Sequence, residues 1–504
     1  APPLSDREPD RGDYPFDSEP GTDEGWAKET RGYWLRDWPG DTDMETILAG
    51  FRGWETKIIP PAEVAALGAR VRCPVLVIHG TEDAQVGPEV GAALAAELSG
   101  RLVLLEGAGH APHARDPVKV NTLVADFAGV GPAPAMRTWT RALRRPKRAL
   151  YLSSPIGLGH ARRDLAIARE LRALVPGLEI DWLAQDPVTR VLEAEGERIH
   201  PASAWLANES THIERESAEH DLHAFQAIRR MDEILIANFM VFHDVVREQP
   251  YDLWVGDEAW ELDYFLHENP EEKRAAYAWL TDFVGWLPMP DGGDREAYLT
   301  ADYNAEMIEH IARFPRLRDR AVFVGNPDDI VPDRFGPGLP PIREWVEGHY
   351  DFAGYVTGFD PASLGDREEL RRSLGYRPGE RVCVVTVGGS GVGGHLLRKV
   401  IAAYPEARRR VPELRMVVVA GPRIDPASLP QADGLEVHAY VHGLYRHLAA
   451  CDLAVVQGGL TTCMELTAAR RPFLYFPLAH HFEQNFHVAH RLGRYNAGRR
   501  MDFP

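Results

Sequence analysis

The feature that most constrains this chain is an apolar run at residues 382–387 that passes directly into Gly388, Gly389, Ser390, Gly391, Val392, Gly393 and Gly394, and then into a helical pattern over 396–403. A buried strand, a glycine turn and a helix in that order make one βα step of a parallel sheet. Bare glycine amides let the backbone approach an anion, and the helix amino end adds the positive end of its dipole. The step suits a diphosphate, although a glycine turn alone is about as often a plain tight connection.

A second step of the same kind strengthens the reading. The run 452–456 leads into Gln457, Gly458, Gly459, Leu460, Thr461 and Thr462, with Glu465 one helical turn further on. Gly458, Gly459 and the two threonine hydroxyls are placed for phosphate, and Glu465 for ribose hydroxyls. The plain alternative is that Thr461 caps the helix and Glu465 completes a capping box. An apolar run at 472–476 then ends in Pro477 and opens a polar loop whose Glu483, Gln484 and Asn485 suit sugar hydroxyls. His480, His481, His487 and His490 share no standard motif with a third ligand, so no metal is expected.

Similar alternation starts earlier. Strands are expected at 149–152, 179–183, 253–255, 278–284 and 321–324, with a Gly-containing turn at 153–160 and an amphipathic helix at 164–174. A Pro/Gly-rich stretch over 328–350 precedes a crossing at 352–356 into the second α/β unit, whose further strands are expected at 416–420 and 435–440. The 504 residues imply two or three compact units. Their formal charge of -19 repels polyanions and argues against nucleic acid as a partner. No apolar run approaches a bilayer span and no signal-peptide pattern opens the chain, so a soluble, cytoplasmic protein without a transmembrane segment is expected, with weak membrane docking left open. Cys73, Cys383, Cys451 and Cys463 lack ligand spacing and read as small core residues in a reducing compartment.

From residue 382 to 503 the sequence resembles the donor-binding domain of GT-B glycosyltransferases, and is most similar to the branch that includes the bacterial N-acetylglucosaminyltransferase of peptidoglycan lipid synthesis. That family has a Gly-Gly-Ser turn, a Gly-Gly-x-x-Thr-x-x-Glu segment, then Pro and an acid-Gln pair, all matched here in order. The resemblance implies α/β architecture with two Rossmann-like domains. It also implies a nucleotide diphosphate sugar as donor, uridine as the family's base, phosphate contacts from Ser390 and Gly391, ribose contacts from Glu465, and sugar contacts from Glu483 and Gln484. The loop of Val441, His442 and Gly443 would hold the base through its backbone. This chain departs from many relatives at Gln457, where they carry His, which keeps a hydrogen bond and loses a possible positive charge.

The turn that ends in Gly159 and His160 resembles the Gly-x-Gly-His turn of the same family. Inverting transfer to a hydroxyl needs a base, and an imidazole suits that near neutral pH, so His160 is the first candidate. Asp257 and Glu258 end another apolar strand, where open parallel sheets place ligands, and either could orient His160 or serve as base. Trp254, Trp260, Trp279 and Trp286 could stack on a sugar or hold a lipid chain, but at strand spacing they are more often core. The expected acceptor is a small molecule or a lipid-linked one, the latter placing the protein at the inner face of the membrane. No metal and no other cofactor is expected. A nucleotide-sugar epimerase and a catalytically silent nucleotide-sugar binding module share this architecture and are the alternatives.

Residues 75–113 resemble the last third of an α/β-hydrolase, in which Asp83 and His110 match the acid and base of a triad. Ser5 and Ser18 are the only serines before Asp83, and neither lies in a nucleophile elbow. A missing upstream hydrolase half and absent hydrolase activity are therefore expected. The expected division is a partial hydrolase portion at 1–131 with an acidic segment over 1–30, and a linker at 132–146. An acceptor-side Rossmann domain at 147–350 and a donor domain at 351–504, truncated before its final crossover helix, complete it.

Overall fold

The computed structural model describes residues 68–83, 86–130, 146–389 and 391–503, so the expectations for 1–30, for most of the linker and for Ser390 lie outside the described residues. The chain divides into two compact units, residues 2–131 and residues 132–504. In the first, β1 (Leu76–Gly80) and β2 (Arg101–Leu105) pair in parallel around the helix Pro88–Glu97, with the helix Pro117–Ala128 following.

The second unit holds two parallel sheets. The first contains β3 (Arg148–Ser153), β4 (Glu179–Leu183), β5 (Arg198–Ile199), β6 (Leu253–Asp257), β7 (Ala276–Thr281), β8 (Arg320–Phe323) and β9 (Asp351–Phe352), in the order β5-β4-β3-β6-β7-β8-β9. The second contains β10 (Arg381–Thr386), β11 (Leu414–Val419), β12 (Leu435–His438), β13 (Leu453–Val456), β14 (Phe473–Tyr475) and β15 (Arg499–Arg500), in the order β12-β11-β10-β13-β14-β15. Both are doubly wound, with the order reversing beside their first strand, as in a Rossmann sheet. Because β9 pairs with β8, the crossing to the second sheet comes after Phe352.

Burial explains the continuous apolar runs. Val382, Cys383, Val384 and Val385 of β10 are all buried, since helices cover both faces of a parallel sheet. Val384, Val417, Ala454 and Cys463 join one core cluster, while Val385, Val418, Leu397 and Ile401 join the cluster on the opposite face. Two elements run past their expected ends. The helix Gly394–Arg410 continues through Pro405, anchored by buried Leu397, Ile401 and Tyr404. The helix Leu158–Leu174 starts six residues before the expected 164, so His160 sits in its first turn instead of a preceding loop. Gly159 is a poor helix former, and the sequence pattern hid what its packing requires. Cys383, Cys451 and Cys463 are buried, whereas Cys73 is exposed and is not a core residue. No helix among the described residues is long and apolar enough to cross a membrane.

Candidate active site

In an open parallel sheet a ligand crevice forms beyond the carboxyl ends of the two strands where the order reverses. In the first sheet these strands are β3, followed by the turn to His160, and β6, ending in Asp257 and Glu258. In the second they are β10 and β13, each followed by one of the glycine turns. The two crevices face each other and form one cleft, to which His160, Glu258, Gly389, Gly459, Glu465 and Glu483 all contribute. The halves approach closely where side chains are missing. A Cβ on Gly159 would lie 2.0 Å from Thr461 Oγ1, and one on Gly389 would lie 2.7 Å from Leu158 Cγ.

His160 is held from behind. Its Nδ1 donates to Asp257 Oδ2 at 3.0 Å, and Nε2 points toward the cleft with Glu258 Oε2 3.9 Å away. Asp257 is fully buried and also accepts from Arg163 Nη2 (2.6 Å) and Nε (3.1 Å), while Arg163 Nη1 donates to Asp282 Oδ2 at 2.7 Å. Burial and Arg163, whose Nη2 lies 2.8 Å from Nδ1, work against the imidazolium, but the Asp257 carboxylate together with Glu258 outweighs them and raises the His160 pKa to about 10. Asp257 is buried too, yet Arg163 and His160 hold its carboxyl well below the usual range. Burial and then Asp282 push Glu258 up to about 7. Its Oε1 accepts from the backbone amide of Asp282 at 3.0 Å, which leaves Oε2 on the His160 side. Near neutral pH the proton therefore stays on His160, and Glu258 is the group of the pair able to take up another. Glu258 has φ 48°, a left-handed conformation that costs a non-glycine residue about 1 kcal/mol and turns its side chain away from the strand direction.

From the second sheet Gly388, Gly389, Gln457, Gly459, Thr461, Thr462, Glu465, Glu483 and Gln484 line the cleft. Gly391 (φ 86°) and Gly458 (φ 108°) shape the turns through their left-handed backbone. With its amide oriented by its surroundings, Gln457 donates to the carbonyls of Val387 and Val392 at 2.9 Å each, so it ties the second turn to the first. The helix Leu460–Ala468 has Gly459 at its cap with no side-chain cap, which removes the capping-box alternative. Glu465 is buried and faces Arg162 Nη1 of the other half at 3.4 Å, and its pKa is raised by burial against the pull of Arg162. Burial, then Asp282 and Glu258, push Glu483 up to about 8, because it faces the acidic side of the His160 cluster.

Several expected contacts are differently disposed. His442 is exposed, and Tyr440, Val441 and Leu444 form the cleft wall there. Gln484 Oε1 accepts from the Leu478 amide at 2.9 Å, and Asn485 Nδ2 donates to the Leu478 and His481 carbonyls, so Asn485 braces its own loop. Trp254 and Trp279 are core, Trp254 packing edge-on against Phe242, whereas Trp260 lines the cleft. His480 does meet further candidate ligands, brought by the fold from about 260 residues away: Asp221 and His223 place ligand atoms within 4.8 Å of it. Its Nδ1 donates to Asp221 Oδ1 at 2.6 Å, its Nε2 to Asp291, and its ring stacks on that of His223 with centroids 3.9 Å apart. This is the arrangement of an imidazolium between two carboxylates, whereas two histidines sharing an ion have rings that diverge from it.

Sequence reasoning missed Arg163, Asp282 and Arg491. His160 and Arg163 stand three apart on one helix face, and that spacing was the available signal. Arg491 is buried and donates to the Val324 carbonyl at 3.1 Å and the Asp282 carbonyl at 2.7 Å, joining the last helix to the first sheet. A π-helical turn at Glu483–Val488 was also invisible to a 3.6-residue pattern. In the first unit His110 Nδ1 donates to Asp83 Oδ2 at 3.0 Å, bringing the expected acid and base together, and Asp83 Oδ1 accepts from the Val86 amide at 2.9 Å.

Residues 382–498 match the glycosyltransferase family 28 C-terminal domain, and residues 44–138 match the family described as TAP-like protein, an α/β-hydrolase type. An uncharacterised glycosyltransferase of Methanopyrus kandleri is 27% identical over 171 residues, covering 33% of this chain and 45% of that protein. Another, of Methanosarcina acetivorans, is 31% identical over 100 residues, covering 20% and 25%. The chain thus spans less than half the length of the curated relatives it matches. Among solved structures, the calicheamicin glycosyltransferase CalG4 superimposes with a TM-score of 0.44 at 16% identity over 71% of this chain and 86% of its own. For the glycosyltransferase SnogD of Streptomyces nogalater the values are 0.41, 18%, 71% and 87%. Residues 382–498, which hold most of the second of the two facing Rossmann sheets, thus match a glycosyltransferase family 28 C-terminal domain, and residues 44–138 match an α/β-hydrolase-type family.

Proposed function

We propose that this chain transfers a sugar from a nucleoside diphosphate donor, with uridine diphosphate as the first candidate, to a hydroxyl acceptor, inverting the anomeric centre without a metal. The observation that carries the reading is the placement of both glycine turns and His160 around one cleft at the carboxyl ends of two Rossmann sheets. The diphosphate would lie against the turns at Gly388–Gly391 and Gly458–Gly459, its ribose at Glu465, and the sugar toward Glu483 and Gln484.

The acceptor hydroxyl would enter between His160 Nε2 and Glu258 Oε2. A gap of 3.9 Å lets one oxygen contact both atoms at ordinary hydrogen-bond lengths. As the hydroxyl oxygen forms its bond to the anomeric carbon, the bond from that carbon to the diphosphate oxygen breaks, and the hydroxyl proton passes to the His160–Glu258 pair. Asp257 is a positioning residue that fixes the imidazole through Nδ1. Charge growing on the leaving diphosphate meets the turn amides and helix dipoles. Ile213, Leu222, Ile228, Trp260 and Phe283 line the acceptor side and suit an acceptor with an apolar body, small or lipid-linked.

The test is incubation of the chain with a panel of nucleoside diphosphate sugars and hydroxyl acceptors, read by release of nucleoside diphosphate and by the anomeric configuration of the product. Acceptor-dependent release with an inverted product, lost in His160→Gln, supports the reading. Conversion of the donor without acceptor would replace it with an epimerase, and tight donor binding without turnover would replace it with a binding module.

A further inference from the structure

The donor turns supply partial positive charge, and a full positive charge beside them, on Arg423, is engaged elsewhere. Arg423 follows Gly421 and Pro422 at the end of β11, and Gly421 packs so closely on the first glycine turn that a Cβ there would lie 2.2 Å from the Gly388 carbonyl oxygen. Its guanidinium reaches across to the helix Glu209–Glu216 of the acceptor half. Nη2 and Nε donate to Glu214 Oε2 at 2.7 and 3.1 Å, and Nη2 donates to Thr211 Oγ1 at 2.9 Å. Asp186 Oδ1 stands 3.9 Å from Nη1. Arg423 is 14% exposed.

Glu214 Oε2, the atom that accepts both hydrogen bonds, lies against the glycine turn. A Cβ on Gly391 would be 3.1 Å from that oxygen and 3.3 Å from the Arg423 Cβ. A half-exposed carboxylate of the chain itself thus stands beside the backbone that the donor reading assigns to the diphosphate, paired with a cation of the donor half. A carboxylate and a phosphate oxygen compete for a guanidinium through the same hydrogen bonds, and the phosphate brings more charge.

We propose that Arg423 is a diphosphate-binding residue held in reserve by Glu214, and that a nucleoside diphosphate takes the guanidinium over and releases this contact between the two halves. The inference rests on the donor site proposed above. It assigns the charge neutralisation of the leaving diphosphate to a side chain as well as to backbone amides, and it makes Glu214 a competitor of the donor.

The experiment is isothermal titration of wild type, Arg423→Gln, Glu214→Gln and the double variant with UDP, dTDP, GDP and ADP, each against its parent nucleoside. The expected result is that Arg423→Gln weakens the bound diphosphate about tenfold or more, with affinity for the nucleoside unchanged. Glu214→Gln tightens the same diphosphate several-fold, and has no effect once Arg423 is Gln. Arg423→Lys, which keeps the charge, retains most of the affinity and guards against a fold defect in the Gln variant. Equal loss for diphosphate and nucleoside in Arg423→Gln, or weaker diphosphate binding in Glu214→Gln, overturns the proposal while leaving the donor site standing. If no diphosphate binds the wild type, the donor reading itself fails and takes this proposal with it.

Discussion

Asp257→Asn probes the arrangement behind His160 in a way that needs no knowledge of the acceptor. In the wild type the carboxylate is fully buried and accepts from both His160 and Arg163. Neutralising it leaves Arg163 with Asp282 as its remaining close carboxylate, and breaking a buried pair of this kind costs about 3–5 kcal/mol. A pH-dependent part lies within that cost. His160 rises from 6.5 to about 10 in the fold, chiefly against burial through Asp257. A raised histidine pKa adds stability that is fully present below about 6.5 and is lost as pH climbs through the folded value. At ~1.4 kcal/mol per unit the whole rise is worth roughly 5 kcal/mol, and on the order of 2–5 kcal/mol should depend on Asp257. Asp257 itself titrates far below this window and adds no slope there. The gap in Tm between wild type and Asp257→Asn should therefore be widest at pH 6 and narrow by on the order of 5 °C by pH 10, measured by calorimetry in matched buffers. A gap that stays constant from pH 6 to 10 would refute the claim that Asp257 holds the proton on His160.

Gly159→Ala places a methyl on Thr461 and should destabilise the joined halves by about 1–3 kcal/mol, with Thr461→Ala restoring part of the loss in thermal melts. Glu483→Gln should act in the opposite direction at alkaline pH. A carboxyl raised to about 8 binds a proton in the fold that it lacks when unfolded, so the wild type loses stability as pH rises from about 4.5 to 8 and the amide variant does not. The Tm of Glu483→Gln should exceed that of wild type at pH 9 by more than at pH 5. In the first unit, activated ester substrates should not be turned over despite the Asp83–His110 pair. Ester turnover abolished by His110→Ala would overturn that expectation.

The sheets and both glycine turns were legible because parallel strands buried on two faces read as unbroken apolar runs and because glycine marks where a backbone must come close. Asp257 and Glu258 were legible as residues at a strand end, but their different tasks were not. The division depends on Arg163 reaching one carboxylate and on the left-handed turn at Glu258, neither of which has a local pattern. Glu465 was readable as a carboxylate one turn into a helix, while its partner Arg162 lies 303 residues away and only the fold brings them together. The contact of His480 with Asp221 and the Arg423–Glu214 pair are of the same kind. The tryptophans show the reverse limit: all four had the same apolar signature, and packing alone separated buried Trp254 and Trp279 from Trp260 in the cleft wall.

A crystal structure of the chain soaked with a nucleoside diphosphate, UDP first, would show whether the two glycine turns hold one ligand. Electron density for the two phosphates is expected between the turns at Gly388–Gly391 and Gly458–Thr461, with the ribose at Glu465 and the cleft at His160 open to the sugar. Phosphates bound on the other face of the second sheet, or contacting only one of the two turns with Glu465 still turned to Arg162, would contradict it.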